Sequence, residues 1–186
     1  MEGLEIDNIL KLDKLSSELE YEKAISIYGR LRWMLRDDKS LITAKQHLKA
    51  LIKQYEEAHW QDEAGISSKQ IRESDNAEKI VYLESKFIQK RKELIREKLK
   101  ESGIAQQDLA KILGHRPNYM SELINGVRPF SRDDIIVLHR LFDLDLKDLV
   151  PPFLKLEVAY HIKQTLNELK NKKTKINLRL TDLEAE

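Results

Sequence analysis

The chain contains no cysteine, which excludes disulfides and thiolate metal sites and accords with a reducing cytosol. No apolar run approaches the length of a membrane span. The opening residues, MEGLEIDN, are acidic and polar and lack the character of a signal peptide, so a cytoplasmic protein without a membrane partner is expected. None of the five histidines has a second histidine at metal-ligand spacing. The sequence has no HExxH, P-loop, GxGxxG or GxSxG motif. Neither an enzyme nor a bound metal or cofactor is expected. Internal repeats and low-complexity tracts are also missing.

What is present is charge and helical periodicity. Of 186 residues, 35% are charged and 41% hydrophobic, a composition that suits a soluble, helix-rich protein of one domain or two small ones. The formal net charge of +1 hides a gradient. Residues 1–85 carry 13 basic and 17 acidic side chains, a net −4, whereas residues 86–150 carry 13 and 10, a net +3. Residues 151–186 carry 7 and 5, a net +2. The excess positive charge therefore lies where a phosphate backbone would need it, although a solvated charged face would look the same.

The central stretch is QQDLAKILGHRPNYMSELIN, residues 106–125. It reads as two short helices joined at Gly114, which supplies a positive φ, with Pro117 at the first position of the second helix. Leu109, Leu113, Met120 and Leu123 fall where such a pair buries apolar surface, and Ala110 is small where the helices cross. This is the pattern of a helix-turn-helix, whose second helix enters a DNA major groove.

Taken in order, residues 1–16 suit a short helix or an arm packed on its neighbour. Ser17 with Glu20 offers a capping box for a helix to about Arg36, with Ala24, Ile27, Tyr28, Leu31, Met34 and Leu35 on one stripe. Ser40 can cap a second helix to about His59, with Leu41, Ala44, Leu48, Leu51, Ile52 and Tyr55 buried. A short turn between them implies an antiparallel hairpin over residues 1–60. Residues 61–76 are polar and rich in turn formers, and read as a linker. Asp75 with Glu78 offers a cap for a helix running to Gly103, either continuous or broken near Ser85. Ser131 with Asp134 caps a further helix, and Asp145 a short last one, stopped by Pro151 and Pro152. A DNA-binding domain over residues 77–152 follows. Residues 153–186 hold another helical stripe and an alternating tail, KINLRLT, spaced like a short strand. These two elements would make a dimer contact or fold back on the hairpin. The fold class expected is all-α, with that possible short strand.

The pieces QQDLAKILG, SELINGVRP and VLHRLF followed by DLDLKDLV resemble the Cro/C1-type (XRE-like) helix-turn-helix family. The layout is that of a five-helix, lambda-repressor-like domain. The run LGHRPNYMSELINGVRPFS, with YEKAISIYGRLRWML and AKQHLKALIKQYEEAHW before it, is similar to HigA-type antitoxins. That resemblance implies a bacterial, cytoplasmic protein, nucleoid-associated when bound to DNA. It would be a homodimer that represses its own operon at an inverted repeat and neutralises a RelE-like, mRNA-cleaving toxin. His115 departs from the apolar residue usual in the wider family, and the chain continues beyond the resemblance.

Carried over position by position, the resemblance makes Arg116, Asn118, Ser121 and Glu122 candidate base readers. Arg116 would fork onto guanine, Asn118 would pair with adenine, and Glu122 would accept from cytosine or repel phosphates. Gln106, Asn125 and Arg128 would contact the backbone, and Tyr119 a thymine methyl or a phosphate. Plain solvent exposure remains the alternative for Arg116, and closure of the domain surface for Tyr119. Trp33, off its helix's stripe, reads as an anchor for a protein partner or as a residue covered by the N-terminal arm. Two further functions stay open: a standalone regulator without a toxin, and an interaction protein that has lost DNA binding.

Overall fold

The computed structural model describes residues 11–34, 41–60, 66–151 and 156–169. The fold is all-α, with eight helices and no strand among the described residues. They are α1 (Glu18–Met34), α2 (Ile42–His59), α3 (Ser68–Ser102), α4 (Gln106–Ile112), α5 (Pro117–Ile124), α6 (Arg132–Phe142), α7 (Leu146–Leu149) and α8 (Leu156–Leu169). The first seven belong to one compact unit ending at Leu149, and α8 belongs to a second. On α8, Ile162, Leu166 and Leu169 are half-buried and Val158 is exposed. The strand-like tail at residues 176–180 lies outside the described residues.

Helix α1 begins where the capping box was expected, with a shifted partner. The Ser17 hydroxyl accepts from the Glu20 amide at 3.3 Å, while the Glu20 carboxylate accepts from the Ser16 amide and hydroxyl at 2.7 and 2.6 Å. The apolar stripes of α1 and α2 meet in one cluster containing Ala24, Ile27, Leu31, Met34, Leu41, Ala44, Leu48, Leu51 and Tyr55. Leu15 is buried in the same cluster and Leu12 packs against it, so residues 11–17 form an arm laid on the hairpin. The Leu12 carbonyl lies 2.9 Å from His47 Nε2.

At the mouth of the hairpin an aromatic stack replaces aliphatic packing. The Tyr21 and Tyr55 rings lie 4.9 Å apart and those of Tyr55 and His59 4.1 Å apart. Each hydroxyl donates to a carboxylate of the other helix: Tyr21 to Glu56 at 3.0 Å and Tyr55 to Glu18 at 3.1 Å. Burial, reinforced by Glu56, pushes the Tyr21 hydroxyl up to about 12. Burial and the Glu18 bond raise that of Tyr55 further.

Helix α3 is one continuous rod of 35 residues, roughly 50 Å long at the α-helical rise. It starts at Ser68, so residues 68–76 are helical rather than linker-like. The cap is Ser67, whose hydroxyl accepts from the Gln70 amide at 3.2 Å, and not Asp75. Turn-favouring side chains lose here because Ala77 and Val81, one turn further on, are buried and hold the helix. Ser85 does not break it. The N-terminal half of α3 packs along α1, and its C-terminal half carries Ile95 and Leu99 into a second core with Leu109, Met120, Leu123, Ile124, Leu138 and Leu149. Gly103, at φ 67°, ends the helix as its position suggested.

The α1–α3 seam also holds like charges. Glu22 is half-buried, and its carboxyl is raised by burial first, then by Glu78 and Glu18. A carboxyl raised in the folded state favours folding when protonated, and that advantage is lost as pH rises through the folded value. Glu22→Gln is expected to raise Tm at pH 7 by about 1–3 °C. Near about pH 3, where the wild-type carboxyl is protonated in both states, Tm should be unchanged. Scanning calorimetry at the two pH values checks this, and an equal rise at both would assign the effect to packing.

Candidate nucleic-acid interface

The α4–turn–α5 unit is built by backbone closure and a small apolar core. The Asp108 carboxylate accepts from the Ala105 amide at 3.1 Å, fixing the first turn of α4. At its other end the Gly114 amide donates to Lys111 O and the His115 amide to Ala110 O, the latter at 2.8 Å. Gly114, at φ 72°, makes that closure possible. Arg116 then takes the extended conformation of an N-cap, and Pro117 occupies the start of α5. Leu109, Ala110, Met120 and Leu123 are fully buried, as the spacing required, while Leu113 is only half-buried. Ile124, which the pattern did not single out, joins them.

Two side-chain clasps hold α5 from outside. His115 Nε2 lies 2.8 Å from Asp134 Oδ1. The other oxygen of Asp134 accepts from the Ser131 amide at 3.0 Å, and the Ser131 hydroxyl accepts from the Asp134 amide at 3.1 Å. The expected capping box of α6 therefore also anchors the turn ahead of α5. The polar residue at position 115 has this work to do. Beside it the His115 and Tyr119 rings lie 5.0 Å apart, and the Arg128 guanidinium sits 5.1 Å over Tyr119. Arg128 Nε pairs with Glu122 Oε2.

These contacts sort the candidate residues. Arg116 and Asn118 are exposed at the N-terminal end of α5, and Tyr119 is 37% exposed beside them. Gln106, at the start of α4, and Ser121 are half-buried. Asn125 turns back on its own helix, donating to Ser121 O at 2.8 Å and to Ser121 Oγ at 3.3 Å. Glu122 departs from expectation: it is only 6% exposed and its carboxylate is engaged by Arg128, so it does not face a base edge. A carboxylate placed there with no cation would be costly to bury, and Arg128 in the following turn draws it inward. Arg128 is correspondingly tied to Glu122 and Tyr119. Trp33 lies on α1, and its side chain is outside the described residues.

The exposed end of α5 thus presents a planar guanidinium, a carboxamide and a phenol. The guanidinium's donor fork matches the guanine edge and the carboxamide's donor–acceptor pair the adenine edge in a major groove. Residues 95–149 match the helix-turn-helix family model. They form a Cro/C1-type DNA-binding domain, running from the C-terminal part of α3 to the end of α7. No curated protein and no solved structure matches the chain. The matched domain is a DNA-binding module of transcriptional regulators and not an enzymatic one. No described helix is long and apolar enough to cross a membrane.

The placement of Glu122 separates two roles for it. Glu122→Gln is expected to destabilise the fold by about 1–2 kcal/mol, through loss of the charge pair with Arg128. The base preference of the domain should stay unchanged. Denaturant melts together with selection of binding sites from randomised duplexes check both. Relaxed preference at one base pair would return Glu122 to the reading surface.

Proposed function

We propose that the protein is a sequence-specific repressor that reads double-stranded operator DNA as a homodimer on an inverted repeat. Arg116 and Asn118 are its principal base readers. Tyr119 and Ser121 flank them and Gln106 sets the domain against the phosphates, while Asn125 and Arg128, engaged by Ser121 and Glu122, hold the end of α5. The single observation that carries this reading is the exposure of Arg116 and Asn118 together at the N-terminal end of α5, within a matched helix-turn-helix domain. In that class of domain this end of the second helix meets the base edges. Two copies related by a two-fold axis would read half-sites about 34–36 Å apart or multiples of that spacing.

The finer reading is an antitoxin of a type II toxin–antitoxin pair that represses its own operon. Its support is the HigA-like sequence pattern together with the acidic half that precedes the domain, residues 1–85 at net −4. A RelE-like toxin must be basic to bind RNA, and an acidic hairpin complements it. The residues that would form the toxin contact include Trp33 on α1.

Two experiments test these statements. In gel shifts with duplex DNA from upstream of its own gene, selective and salt-sensitive binding is expected. Arg116→Ala combined with Asn118→Ala should weaken it by about 2–6 kcal/mol, since each good bidentate contact contributes about 1–3 kcal/mol. Equal binding of all duplexes by wild type and double variant would reject base reading at these residues. For the antitoxin, co-expression with the adjacent open reading frame should rescue growth and yield a co-purifying complex. A neighbour that is neither toxic nor bound leaves a standalone regulator.

A further inference from the structure

The matched domain ends at its own helices, yet the C-terminal end of α5 is not held by them alone. Gly126, immediately past α5, offers its carbonyl to Arg30 of α1, whose Nη1 donates at 2.6 Å. The same guanidinium donates from Nη2 to Ser26 Oγ at 2.9 Å and to Ser85 Oγ at 3.4 Å, and the two serine hydroxyls lie 3.2 Å apart. Burial lowers the Arg30 pKa, opposed by Glu84. The next residue, Val127, is 4% exposed, and its side chain sits in the core cluster of the hairpin rather than in that of the helix-turn-helix. Its amide meanwhile donates to Glu122 O at 2.9 Å, closing α5. Gly126 itself, at φ 68°, presses on α3 so closely that a Cβ there would collide with the Ile88 side chain.

We infer that Arg30 is a positioning residue for DNA reading. Through the Gly126 carbonyl and the seat of Val127, the N-terminal hairpin fixes the C-terminal end of the recognition helix. The hairpin is then a working part of the DNA-binding device, although it lies outside the matched residues 95–149. Three contacts converge on two residues: Arg30 and the core around Val127 from the hairpin, and Ile88 from α3. Loosening any of them frees the end of α5 to shift, and a shift of about 1 Å is enough to spoil bidentate contacts to base edges. The Arg30 guanidinium is spent on the Gly126 carbonyl and the hydroxyls of Ser26 and Ser85, so its contribution is to geometry and not to phosphate charge.

The inference rests on the proposed DNA reading, and its test separates the two. The full-length wild-type protein is used to select duplexes from a randomised library. Arg30→Met, Arg30→Lys and Val127→Ala are then compared on the selected duplex and on an unrelated one, after circular dichroism and calorimetry establish that each is folded at the assay temperature. Arg30→Met and Val127→Ala are expected to lose about tenfold in affinity for the selected duplex. Affinity for the unrelated duplex and the slope of affinity against salt should stay as in wild type, because no phosphate contact is removed. Arg30→Lys, which keeps a donor, should recover part of the loss. Folded Arg30→Met and Val127→Ala proteins that retain wild-type discrimination would overturn the inference, as would an equal loss on both duplexes with a shallower salt slope. If Arg30→Met does not fold, Val127→Ala and Arg30→Lys decide by the same criteria. If the wild type selects no duplex, the DNA-reading proposal fails. Amide exchange at residues 123–128 in Arg30→Lys then decides the anchor, with faster exchange expected and unchanged exchange overturning it.

Discussion

Two guanidiniums with carbonyl partners, Arg30 half-buried and Arg91 buried, tie together the helices of the compact unit that ends at Leu149. Arg30 reaches the Gly126 carbonyl behind α5, and Arg91 reaches the Leu149 carbonyl at the end of α7, the latter at 3.1 Å. The Leu149 carbonyl ends α7, where unsatisfied backbone oxygens gather partial negative charge, and the Gly126 carbonyl lies in the turn just past the C-cap of α5. Arg91 is further enclosed by the Phe87 and Phe130 rings, with its guanidinium 5.4 and 5.0 Å from them. Its pKa falls to about 10, because burial and then the neighbouring Arg30 charge disfavour the cation. It stays protonated at neutral pH, but the margin shows what burial costs. Helix ends that would otherwise need water are thus closed by cations from α1 and α3. Removing either cation would leave a carbonyl unpaired against packed side chains.

The continuity of α3 gives those two arginines a common frame. A single rod packs against the hairpin near Ser85 and contributes Ile95 and Leu99 to the helix-turn-helix core. Bending at Ser85 would separate Arg91 from the level of Arg30, and the serine instead spends its hydroxyl on Ser26 and Arg30. Lys90, one residue before Arg91, adds an ion pair with Asp148 at 2.7 Å, on the same short α7 that ends at Leu149. Being exposed on the lysine side, that pair contributes little on its own. Its place next to the Arg91 bond matters more, since together they close the domain at its last helix.

What was legible in the sequence follows from which residues obey a period. The stripes of α1 and α2 were readable because Ala24, Ile27 and Leu31, or Leu48, Leu51 and Tyr55, repeat every three or four residues and all are buried. The Ser131–Asp134 cap and the Gly103 and Gly114 stops were readable because their chemistry is local. The start of α3 was misread, since Ser74, Asp75 and Asn76 favour turns and only the burial of Ala77 and Val81 overrules them. The burial of Glu122 was not legible for a related reason. Carry-over by position put it on the reading face, whereas its partner Arg128 lies in the next turn and draws the carboxylate inward. Arg30 and Arg91 left no signal at all. A charged residue on a helix is read as solvated unless its partner is known, and here the partners are main-chain carbonyls 96 and 58 residues away.

The charge accounting of the domain limits how it can bind. Lys98 pairs with Glu101, Lys111 with Asp108, Lys147 with Asp145 and Arg132 with Asp133. Arg91 is buried and Arg128 is tied to Glu122. Among the described residues of α5 and its N-cap, Arg116 is the cation without an ion pair. Residues 86–150 carry a net charge of only +3, so the excess of positive groups available to release counterions from a duplex is small, and counterion release dominates non-specific affinity. One domain alone would hold DNA weakly wherever it landed, while a few oriented side chains on a braced helix discriminate between sites. Discrimination of that kind depends on rigidity more than on charge, which is why the bracing of α5 by the hairpin bears on function. Two such domains on one operator would multiply a modest affinity without raising the non-specific background to match.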